Sequence, residues 1–384
     1  MKKFYCFLLI LTMFICNFAL ASTNITISKK ETQMGMHMLS YPEIVIPTNK
    51  NVAQKINDTI ILKSNITGYI VTLATIKPHE SFSLNYSTTL LKDYFSTVIT
   101  AKGKVSSTQN GIKHTGLTFN LTTGELVPFS SLFQNPTNAL GQISKNIDER
   151  LTLNENEYYS SVPYTPLPTH SFFIDDYGIT VYYPSKSTSP IEYNDYAWHF
   201  FHEELQNLYK KDDSSLLEQL NRNLVDNEKN LKQNIKASLK ENKLPCLPYA
   251  LGENMKTILD IAPLLHKPDQ CPMGAYYLLD SPLFRDVWLI SDQLQNEDGQ
   301  SKLEGIQLRR GGLFNLQIGT TTTEMWQKWL GKPEKTLEIT ENLAYDYQLP
   351  IGHTDIYIFD NHELRLHANE ENKLFSIQIN ITHK

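Results

Sequence analysis

Polar and apolar residues alternate from Thr118 to Thr122, and the run Thr-Thr-Gly-Glu then interrupts the alternation before Leu126. Period-two patterning broken by a glycine-containing turn is typical of a β-hairpin with one buried face. Pro128 has no backbone N–H to donate, so the return strand is expected to be short or to lie at a sheet edge. The pattern predicts a sheet in this part of the chain.

The rest of the chain divides into stretches with helical spacing and stretches with strand-like patterning. Helices are predicted for residues 51–63 and 136–153, and an amphipathic helix is predicted between a Thr322 N-cap and a Gly331 stop. Strands are predicted at residues 24–28, 43–46, 68–76, 82–88, 94–104, 171–175, 178–183, 343–348, 355–359, 363–367 and 374–381.

Residues 203–243 are rich in charge and contain neither glycine nor proline. Apolar side chains form a narrow seam at near-heptad spacing, comprising Leu217, Leu220, Leu224, Leu231, Ile235 and Leu239. This pattern favours a helical connector docked on a neighbouring domain, and a dimerising coiled coil is the alternative.

These elements predict an α+β protein. The N-terminal domain, residues 22–209, is expected to hold a mixed or antiparallel sheet with two helices. A helical connector over residues 210–244 leads to a second small domain, residues 245–384, made of a helix followed by a β-meander.

Residues 1–21 have the pattern of an export signal. Two lysines precede an uncharged apolar core over residues 4–18, and Ala19-Leu20-Ala21 supplies a small-x-small cleavage site. Cys16 raises the alternative of a lipoprotein, but no small residue stands in the three positions before it. We expect a mature protein that begins near Ser22 and is periplasmic or extracellular, and no later stretch is apolar enough to span a bilayer.

The charge of the chain argues against nucleic-acid binding. The formal net charge is −6, and it becomes −8 when Lys2 and Lys3 leave with the signal. A moderately acidic chain without a basic cluster lacks the electrostatic footprint that nucleic acid requires.

The mature chain keeps two cysteines, Cys246 and Cys271. In an exported protein two cysteines most simply form one disulfide, and closing a loop of this length contributes about 3.5 kcal/mol in the chain-entropy model. A metal pair and two free thiols are the alternatives. The metal pair is disfavoured because there is no Cys-x-x-Cys spacing and only His266 lies between them.

Candidate catalytic chemistry is sparse. His199, His202 and Glu203 would suit a zinc site, but the segment is neither His-Glu-x-x-His nor its inverse. The adjacent Phe200 and Phe201 favour a structural role at the edge of a sheet. A zinc-dependent hydrolase built on these three residues is the alternative enzymatic hypothesis.

Other polar residues are assigned structural roles. His114 has no recognisable nucleophile or carboxylate beside it, which favours a structural role over ligand contact. His362 and His367 are five positions apart and are expected on opposite faces of a strand. Asp175 and Asp176 lie in a predicted turn, and no nucleophile elbow or phosphate loop is found, so we predict neither a resident metal nor a cofactor.

A tyrosine- and proline-rich loop is the predicted binding surface. It contains Tyr158, Tyr159 and Tyr164, with Pro163 and Pro166 to stiffen it. Aromatic side chains on such a loop offer large contact area at a small ordering cost, which suits protein or glycan recognition. The alternative is that the tyrosines fold back to cover the sheet.

Several spaced motifs of the N-terminal half resemble a known family. They are Tyr41-Pro42 with Asn51, Gly111-x-x-His114-x-Gly116, Thr123-Gly124-Glu125-Leu126, Leu132-Phe133, Phe172-Phe173, Gly178 and Tyr182-Tyr183. In order and spacing they are similar to the extracellular domain shared by RsiV-type lysozyme-sensing anti-sigma factors and the non-catalytic part of PdaC-type peptidoglycan deacetylases. The resemblance implies an α+β domain, with His114 as the polar residue that fits the pattern most closely.

The sequence also departs from that family. The family's Tyr-x-Ile-Ala-Pro-Tyr-Ala-x-Gly segment is replaced by residues 189–198, which lack the glycine, and no His-Ser/Thr-x-x-His or Thr-Phe-Asp-Asp motif of a deacetylase domain is present. Deacetylation is therefore not expected. The C-terminal part, from Thr322 onward, resembles small exported modules of the BamE and β-lactamase-inhibitor type, which are binding scaffolds.

The sequence therefore predicts an exported, non-catalytic envelope protein. The resemblance implies recognition of a cell-wall-related partner, either peptidoglycan or a lysozyme-like muramidase. Two other classes stay open, namely the zinc-dependent hydrolase and a structural assembly factor of the envelope.

Overall fold

The structure is a computed structural model, and it describes residues 25–34, 37–73, 80–104, 110–153, 167–183, 192–194, 196–212, 215–220, 230–244, 247–260, 264, 267–271, 274–279, 287–293, 301–347 and 349–382. Contacts divide the chain into two compact units. Unit 1 comprises Met1–Thr88, Asp93–Val127 and Ser187–Asn194, and unit 2 comprises Thr89–Lys92, Pro128–Lys186 and Asp195–Lys384. The domain boundaries predicted after residues 209 and 244 stay predictions.

The described chain contains both helices and several sheets and is richer in strand than in helix, which confirms the α+β class. The strands are β1 Thr26–Met34, β2 His37–Val45, β3 Phe82–Leu90, β4 Tyr94–Lys104, β5 Asn110–Asn120, β6 Phe172–Ile174, β7 Gly178–Tyr183, β8 Glu192–Asn194, β9 Tyr196–Phe201, β10 Asp269–Cys271, β11 Gly274–Tyr277, β12 Val287–Ser291, β13 Leu303–Leu308, β14 Gly312–Leu313, β15 Leu316–Gln317, β16 Lys335–Ile339, β17 Gly352–Phe359, β18 His362–Asn369 and β19 Leu374–Ile381. The helices are α1 Lys50–Lys63, α2 Ile66–Leu73, α3 Pro136–Leu153, α4 His202–Leu205, α5 Leu216–Gln219, α6 Leu231–Lys240, α7 Met255–Leu259, α8 Thr323–Leu330 and α9 Glu341–Tyr347.

Unit 1 is built on a mixed sheet with the order β1-β2-β3-β4-β5-β8. The pairs β2–β3 and β5–β8 are parallel, whereas β1–β2 and β4–β5 are antiparallel. Helix α1 begins at an Asn49 N-cap, whose side chain accepts a hydrogen bond from the N–H of Val52 at 3.2 Å. The apolar face of α1 packs against the sheet in one core, which includes Ile56, Ile60, Phe95 and Phe119.

The predicted hairpin turn is present at the end of β5. The Asn120 side chain accepts hydrogen bonds from the N–H groups of Thr122 and Thr123, both at 2.9 Å, and Gly124 adopts a φ of +71°. The return arm is reduced to one bridge between Phe119 and Leu126, followed by Pro128. A short return arm is what the missing N–H of proline predicts.

The strand predicted over residues 68–76 is wrong, because the chain forms helix α2 there. A short apolar run of β-branched residues does not by itself distinguish a strand from a buried helix. Asn65 has a φ of +54° and breaks the chain after α1, and its carbonyl then accepts the N–H of Tyr69 at 3.0 Å in the first turn of α2. The buried residues of α2 have helical spacing: Ile66, Tyr69 and Leu73.

Unit 2 contains a small antiparallel sheet with the order β6-β7-β9. A 3-10 turn at Phe129–Leu132 and helix α3 precede it. The turn between β6 and β7 is made by Asp175, whose side chain accepts the N–H groups of Tyr177 and Gly178, both at 2.8 Å. The turn chemistry predicted for the paired aspartates is therefore observed at Asp175.

The large sheet of unit 2 is antiparallel, with the order β10-β11-β12-β13-β19-β18-β17-β16. Three strands of the predicted C-terminal meander are present as the neighbours β17, β18 and β19, and the fourth neighbour is β16, Lys335–Ile339, instead of a strand at residues 343–348. One face of this sheet supplies the core, together with the apolar side of α6. The α6 residues in that core are Leu231, Ile235 and Leu239. The docking predicted for the charged segment is therefore observed for this helix.

The strand predicted over residues 343–348 is also wrong, because residues 341–347 form helix α9. The carbonyl of Thr340 accepts hydrogen bonds from the N–H groups of Leu343 and Ala344, at 3.0 and 2.8 Å. Glutamate, leucine and alanine are good helix formers, and here they outweigh the aromatic residues that suggested a strand.

Helix α8 is anchored to the large sheet by a buried carboxylate. Asp355 on β17 accepts hydrogen bonds from the Trp326 indole (3.0 Å), the Gln327 amide (2.7 Å) and the Thr336 hydroxyl (2.7 Å). The predicted Thr322 N-cap and Gly331 stop are both present. Buried polar groups require such partners, and these fix the angle at which the helix meets the sheet. No helix in the described ranges is long and apolar enough to cross a bilayer.

Candidate functional site

His202, at the start of α4, is fully buried and engaged on both sides of its ring. Its Nε2 lies 2.8 Å from the backbone oxygen of Asp175, and its Nδ1 lies 2.9 Å from the hydroxyl of Tyr209. A carbonyl oxygen only accepts, so Nε2 carries a proton and donates it to Asp175, while Nδ1 pairs with the tyrosine hydroxyl. The ring ties the β6–β7 turn to Tyr209, which favours the structural interpretation of this histidine.

His199 and Glu203 are also buried. His199 Nδ1 is 3.0 Å from the Thr180 hydroxyl, and a Cβ at Gly178 would lie 2.7 Å from His199 Nε2. The Glu203 carbonyl accepts the Gln317 amide at 2.7 Å. Among the described residues, no group of three or more metal-ligating side chains forms a metal site. The zinc-hydrolase alternative stays an untested hypothesis.

His114 lies on β5, paired with Thr100 on β4. It is half-buried, and burial lowers its pKa to about 4, so the imidazole is neutral at pH 7. Its sequence position places it on the face of the sheet opposite Phe119, because side chains alternate along a strand. Contact of His114 with a ligand stays a prediction.

The other predicted site residues lie outside what the structure describes. This applies to Tyr158, Tyr159, Tyr164 and Cys246, and to the side chain of Cys271, whose backbone belongs to β10. The tyrosine loop as a binding surface and the Cys246–Cys271 disulfide therefore stay predictions.

A concave site that the sequence did not indicate lies within unit 2, beyond the end of α6. Asn242 has a φ of +54° and turns the chain back, so that its carbonyl accepts the N–H of Leu251 at 2.7 Å. The N–H of Lys243 bonds to the Ser238 carbonyl at 3.2 Å, and the Ser238 hydroxyl donates to the Lys243 carbonyl. The returning segment forms one wall of a cavity.

The cavity has a volume of about 550 Å³. Its described lining residues are Tyr177, Ser238, Lys243, Leu244, Leu247, Pro248, Tyr249, Ala250 and Glu253. Tyr177 is brought to it by the Asp175 turn, and Leu244, Leu247 and Tyr249 join it to the core. We call this feature the tyrosine cavity.

The polar groups of the tyrosine cavity are suited to binding. Burial raises the pKa of the Tyr249 hydroxyl, and the charge of Glu253 and the nearby Tyr177 raise it further. The hydroxyl therefore stays protonated and can donate a hydrogen bond. Glu253 is held by the N–H of Ala250 at 3.3 Å, and Lys243 is exposed at the rim. The cavity thus combines two tyrosine rings with the Lys243 cation, the Glu253 carboxylate and the Tyr249 hydroxyl. Such a set can bind a polar ligand that has apolar faces.

The sequence contained a partial signal for this site. Tyr177 belongs to the Asp-Asp-Tyr-Gly turn that the alternation predicted, but its neighbours in space come from a segment about 70 residues later. Tyr249 lies in a stretch without a periodic pattern. Its position follows from the turn at Asn242, which becomes visible only in the folded chain.

Comparison with known proteins gives structural neighbours without an assigned function. No protein-family model matches the sequence, and no curated protein matches it. A DUF3298 family protein from Bacteroides fragilis NCTC 9343 is similar at 12% identity and a TM-score of 0.37, over 52% of this chain and 98% of that chain. A DUF3298 family protein from Pseudomonas aeruginosa PAO1 shares 9% identity with a TM-score of 0.34, over 49% of this chain and 95% of that one.

A third similar structure is a DUF4309 family protein from Bacillus subtilis subsp. subtilis strain 168. It shares 13% identity with a TM-score of 0.27, over 40% of this chain and 97% of that one. The structural neighbours of this chain are thus DUF3298 and DUF4309 family proteins, which are domains of unknown function.

Proposed function

We propose that this chain is an exported, non-catalytic recognition protein of the cell envelope, and that its partner is peptidoglycan. The motifs around His114, Gly124 and Phe172-Phe173 support assignment of the N-terminal half to the RsiV/PdaC type of DUF3298 domain. The apolar leader over residues 1–21 supports export. The tyrosine cavity is the observation that carries the proposal.

The size and lining of the tyrosine cavity favour a fragment of a glycan or a peptide. Ligand sites in proteins have volumes of about 300–1,000 Å³ and combine apolar or aromatic walls with a few polar groups. The volume of about 550 Å³ falls in that range. Tyr177 and Tyr249 supply ring surfaces, Lys243 can neutralise a carboxylate, and the Tyr249 hydroxyl can donate to a sugar or amide oxygen.

The same dimensions favour peptidoglycan over a muramidase as the partner. A stable interface between two proteins buries about 800 Å² on each side, which is a surface and not a cavity of this size. Peptidoglycan offers short sugar and peptide units that carry carboxylates, which match a tyrosine-lined cavity with a lysine at its rim. A muramidase bound elsewhere on the chain is the alternative outcome of the test below.

The test is binding of the mature chain, Ser22–Lys384, to insoluble peptidoglycan in a sedimentation assay and to soluble muropeptides by calorimetry. We expect Tyr249→Phe, which removes only the hydroxyl, to weaken binding about three- to tenfold, and Lys243→Ala to weaken it about tenfold. Lys240→Ala is the matched control, because Lys240 is an exposed lysine at the end of α6 that does not line the cavity. Circular dichroism establishes that each variant is folded.

Equal binding by Lys243→Ala, Tyr249→Phe and the wild type would show that the tyrosine cavity is not the site. Retention of lysozyme on the immobilised chain, without retention of peptidoglycan, would favour the muramidase partner.

A further inference from the structure

The large sheet of unit 2 has a second face, opposite its core, which we call the outer face. Side chains alternate along a strand, so the strand neighbours of the core residues point to this face. On β12, for example, Val287 and Leu289 are buried in the core, whereas Trp288 between them is half-buried on the outer face.

The strand register aligns outer-face residues into a continuous row. Trp288 is opposite Gln307, Gln307 is opposite Gln378, and Gln378 is opposite Arg365. Tyr276 on β11 lies in the next row, opposite Ile290. The outer face therefore carries two half-buried aromatic rings and two amide side chains, followed by an arginine, and Gln307 is buried beneath its neighbours at 5% exposed.

Arg309 follows directly after β13 and turns its guanidinium onto this row. The guanidinium carbon lies 5.6 Å from the centre of the Trp288 ring, and Nη2 donates to the Gln307 side-chain oxygen at 3.3 Å. Its Nε is buried and makes no hydrogen bond within the described part of the chain. Burial lowers the pKa of this arginine, and the nearby Tyr276 raises it by a smaller amount.

The two arginines of the outer face differ in how their charge is neutralised. Arg365 forms an ion pair with Glu363 on its own strand. Arg309 forms no ion pair with any carboxylate of the described residues, and its guanidinium contacts a neutral amide and an aromatic ring. A half-buried cation without an opposite charge is costly, and a bound anion would offset that cost.

We propose that Arg309, Trp288 and Gln307 form a binding site for a carboxylate-bearing saccharide, with the carboxylate on the Arg309 guanidinium. Arginine presents a planar fork of donors that matches a carboxylate. The indole ring positions the guanidinium by a cation–π contact and offers an apolar surface to a sugar ring. The site goes beyond the tyrosine cavity, because none of these three residues lines that cavity.

The outer face suits a saccharide better than an acidic peptide. An extended peptide gains its affinity by pairing with the backbone at a sheet edge, and the face of a sheet offers side chains only. Sugar hydroxyls both donate and accept hydrogen bonds. The half-buried Gln378 and Asn380 carry amides that do the same, and Gln378 already donates to Asn380 at 3.2 Å. Gln307 is buried, and its role is to hold the Arg309 guanidinium.

The experiment compares ligands and variants of the mature chain in low salt. The probes are trigalacturonic acid, its fully methyl-esterified form and the peptide triglutamate, and binding is followed by calorimetry and by tryptophan fluorescence. We expect the methyl ester to bind at least about tenfold more weakly than the acid, because one charge-assisted contact is lost. Arg309→Gln should cause a similar loss.

Lys335→Gln is the matched control for charge. Lys335 is exposed and lies opposite Ile356 at the far end of the same row, about 19 Å away at the strand spacing of a sheet. We expect this variant to bind the acid within about twofold of the wild type. The titrations are repeated in the Lys243→Ala background, which weakens the tyrosine cavity, and Arg309→Gln should cause the same loss of acid binding there as in the wild type.

Three results would overturn the proposal. Equal affinity of the wild type for the acid and the methyl ester excludes recognition of the carboxylate, and this comparison needs no variant. An equal loss in Arg309→Gln and Lys335→Gln shows general charge attraction. Tighter binding of triglutamate than of trigalacturonate assigns the site to an acidic peptide.

Discussion

His367, on β18, shows how a buried polar side chain sets the pH range in which this fold is stable. It is 1% exposed, and its Nε2 lies 2.9 Å from the Pro350 carbonyl, so Nε2 carries the proton. Nδ1 lies 3.0 Å from the Thr354 hydroxyl and accepts from it. Both ring nitrogens are satisfied in the neutral form, and a second proton on Nδ1 would face a donor.

Stability should therefore fall as the pH is lowered through the range set by this histidine. Burial lowers the pKa of His367 to about 4 from the usual 6.5, so the unfolded chain takes up the proton first. Between those pH values the unfolded state binds more protons, and stability is lost by at most about 1.4 kcal/mol per pH unit. The stabilising effect is complete above pH 6.5 and is gone near pH 4.

Urea unfolding from pH 7 to pH 4.5 measures this effect. His367→Gln should unfold with a shallower pH dependence than the wild type. Thr354→Val removes the hydroxyl that donates to Nδ1 and should therefore raise the pKa of His367 towards its value in the unfolded chain. The free energy of unfolding should then change less steeply with pH, as it does in His367→Gln. An unchanged slope in His367→Gln would show that other groups, such as His114 with its pKa also near 4, govern the acid range.

Among the elements, helix α2 gives the clearest test of a corrected assignment. Val71 on α2 is 63% exposed, so packing contributes little at this position. Alanine is favoured over valine in a helix by roughly 0.5 kcal/mol, whereas valine is favoured over alanine in a strand. Val71→Ala should therefore raise the free energy of unfolding slightly.

The measurement is the urea midpoint of Val71→Ala, compared with that of Ile66→Ala in the same helix. Ile66 is 1% exposed, and its truncation should cost about 2–5 kcal/mol. A destabilised Val71→Ala would contradict a helix at residues 66–73 and would restore the strand that the sequence predicted.

Periodicity predicted the elements whose pattern is long or well punctuated, and failed where the pattern is short. The helix over residues 136–153 has the predicted bounds, and so does the strand over residues 374–381. β-Branched and aromatic residues predict strands at residues 68–76 and 343–348, where the structure has the helices at 66–73 and 341–347. Their helical state depends on the turn at Asn65 and on the hydrogen bonds that the Thr340 carbonyl accepts, which local propensity does not show.

The binding sites were less predictable than the elements, because they depend on strand order. The row that joins Trp288 to Arg365 exists because β13 pairs with β19, from the end of the chain. Likewise, Asp355 has no special sequence signal, and its role follows from three donors that come from α8 and β16. Sequence reasoning found the segment that contains Tyr177 but not the partners that make it part of a cavity.

For the molecule as a whole, the sequence and the contacts in the structure place the boundary between the two parts of the chain at different residues. The sequence predicts a domain that ends at residue 209. In the structure, residues 201–204 pack within unit 2 against residues 311–317: Phe201 belongs to the core of the large sheet, and the Glu203 carbonyl accepts the Gln317 amide. A Cβ at Gly311 would lie 2.5 Å from the Phe201 ring, so the two segments are in close contact.

A fragment of residues 22–209 should therefore unfold at a lower urea concentration than the full mature chain, because its end loses the surface that covers Phe201. Trp198 is the one tryptophan in this fragment, so its fluorescence reports directly on the affected strand. We expect the emission of Trp198 in the fragment to be that of a water-exposed indole. The urea midpoint should be lowered in proportion to the lost burial, since truncating a core phenylalanine alone costs about 3–5 kcal/mol. Dye binding to exposed apolar surface should rise in the fragment and not in the full chain. If the fragment instead unfolds cooperatively with Trp198 emitting as a buried indole, the boundary at residue 209 is a true domain boundary. The contacts of Phe201 and Glu203 would then contribute little to the stability of the first domain.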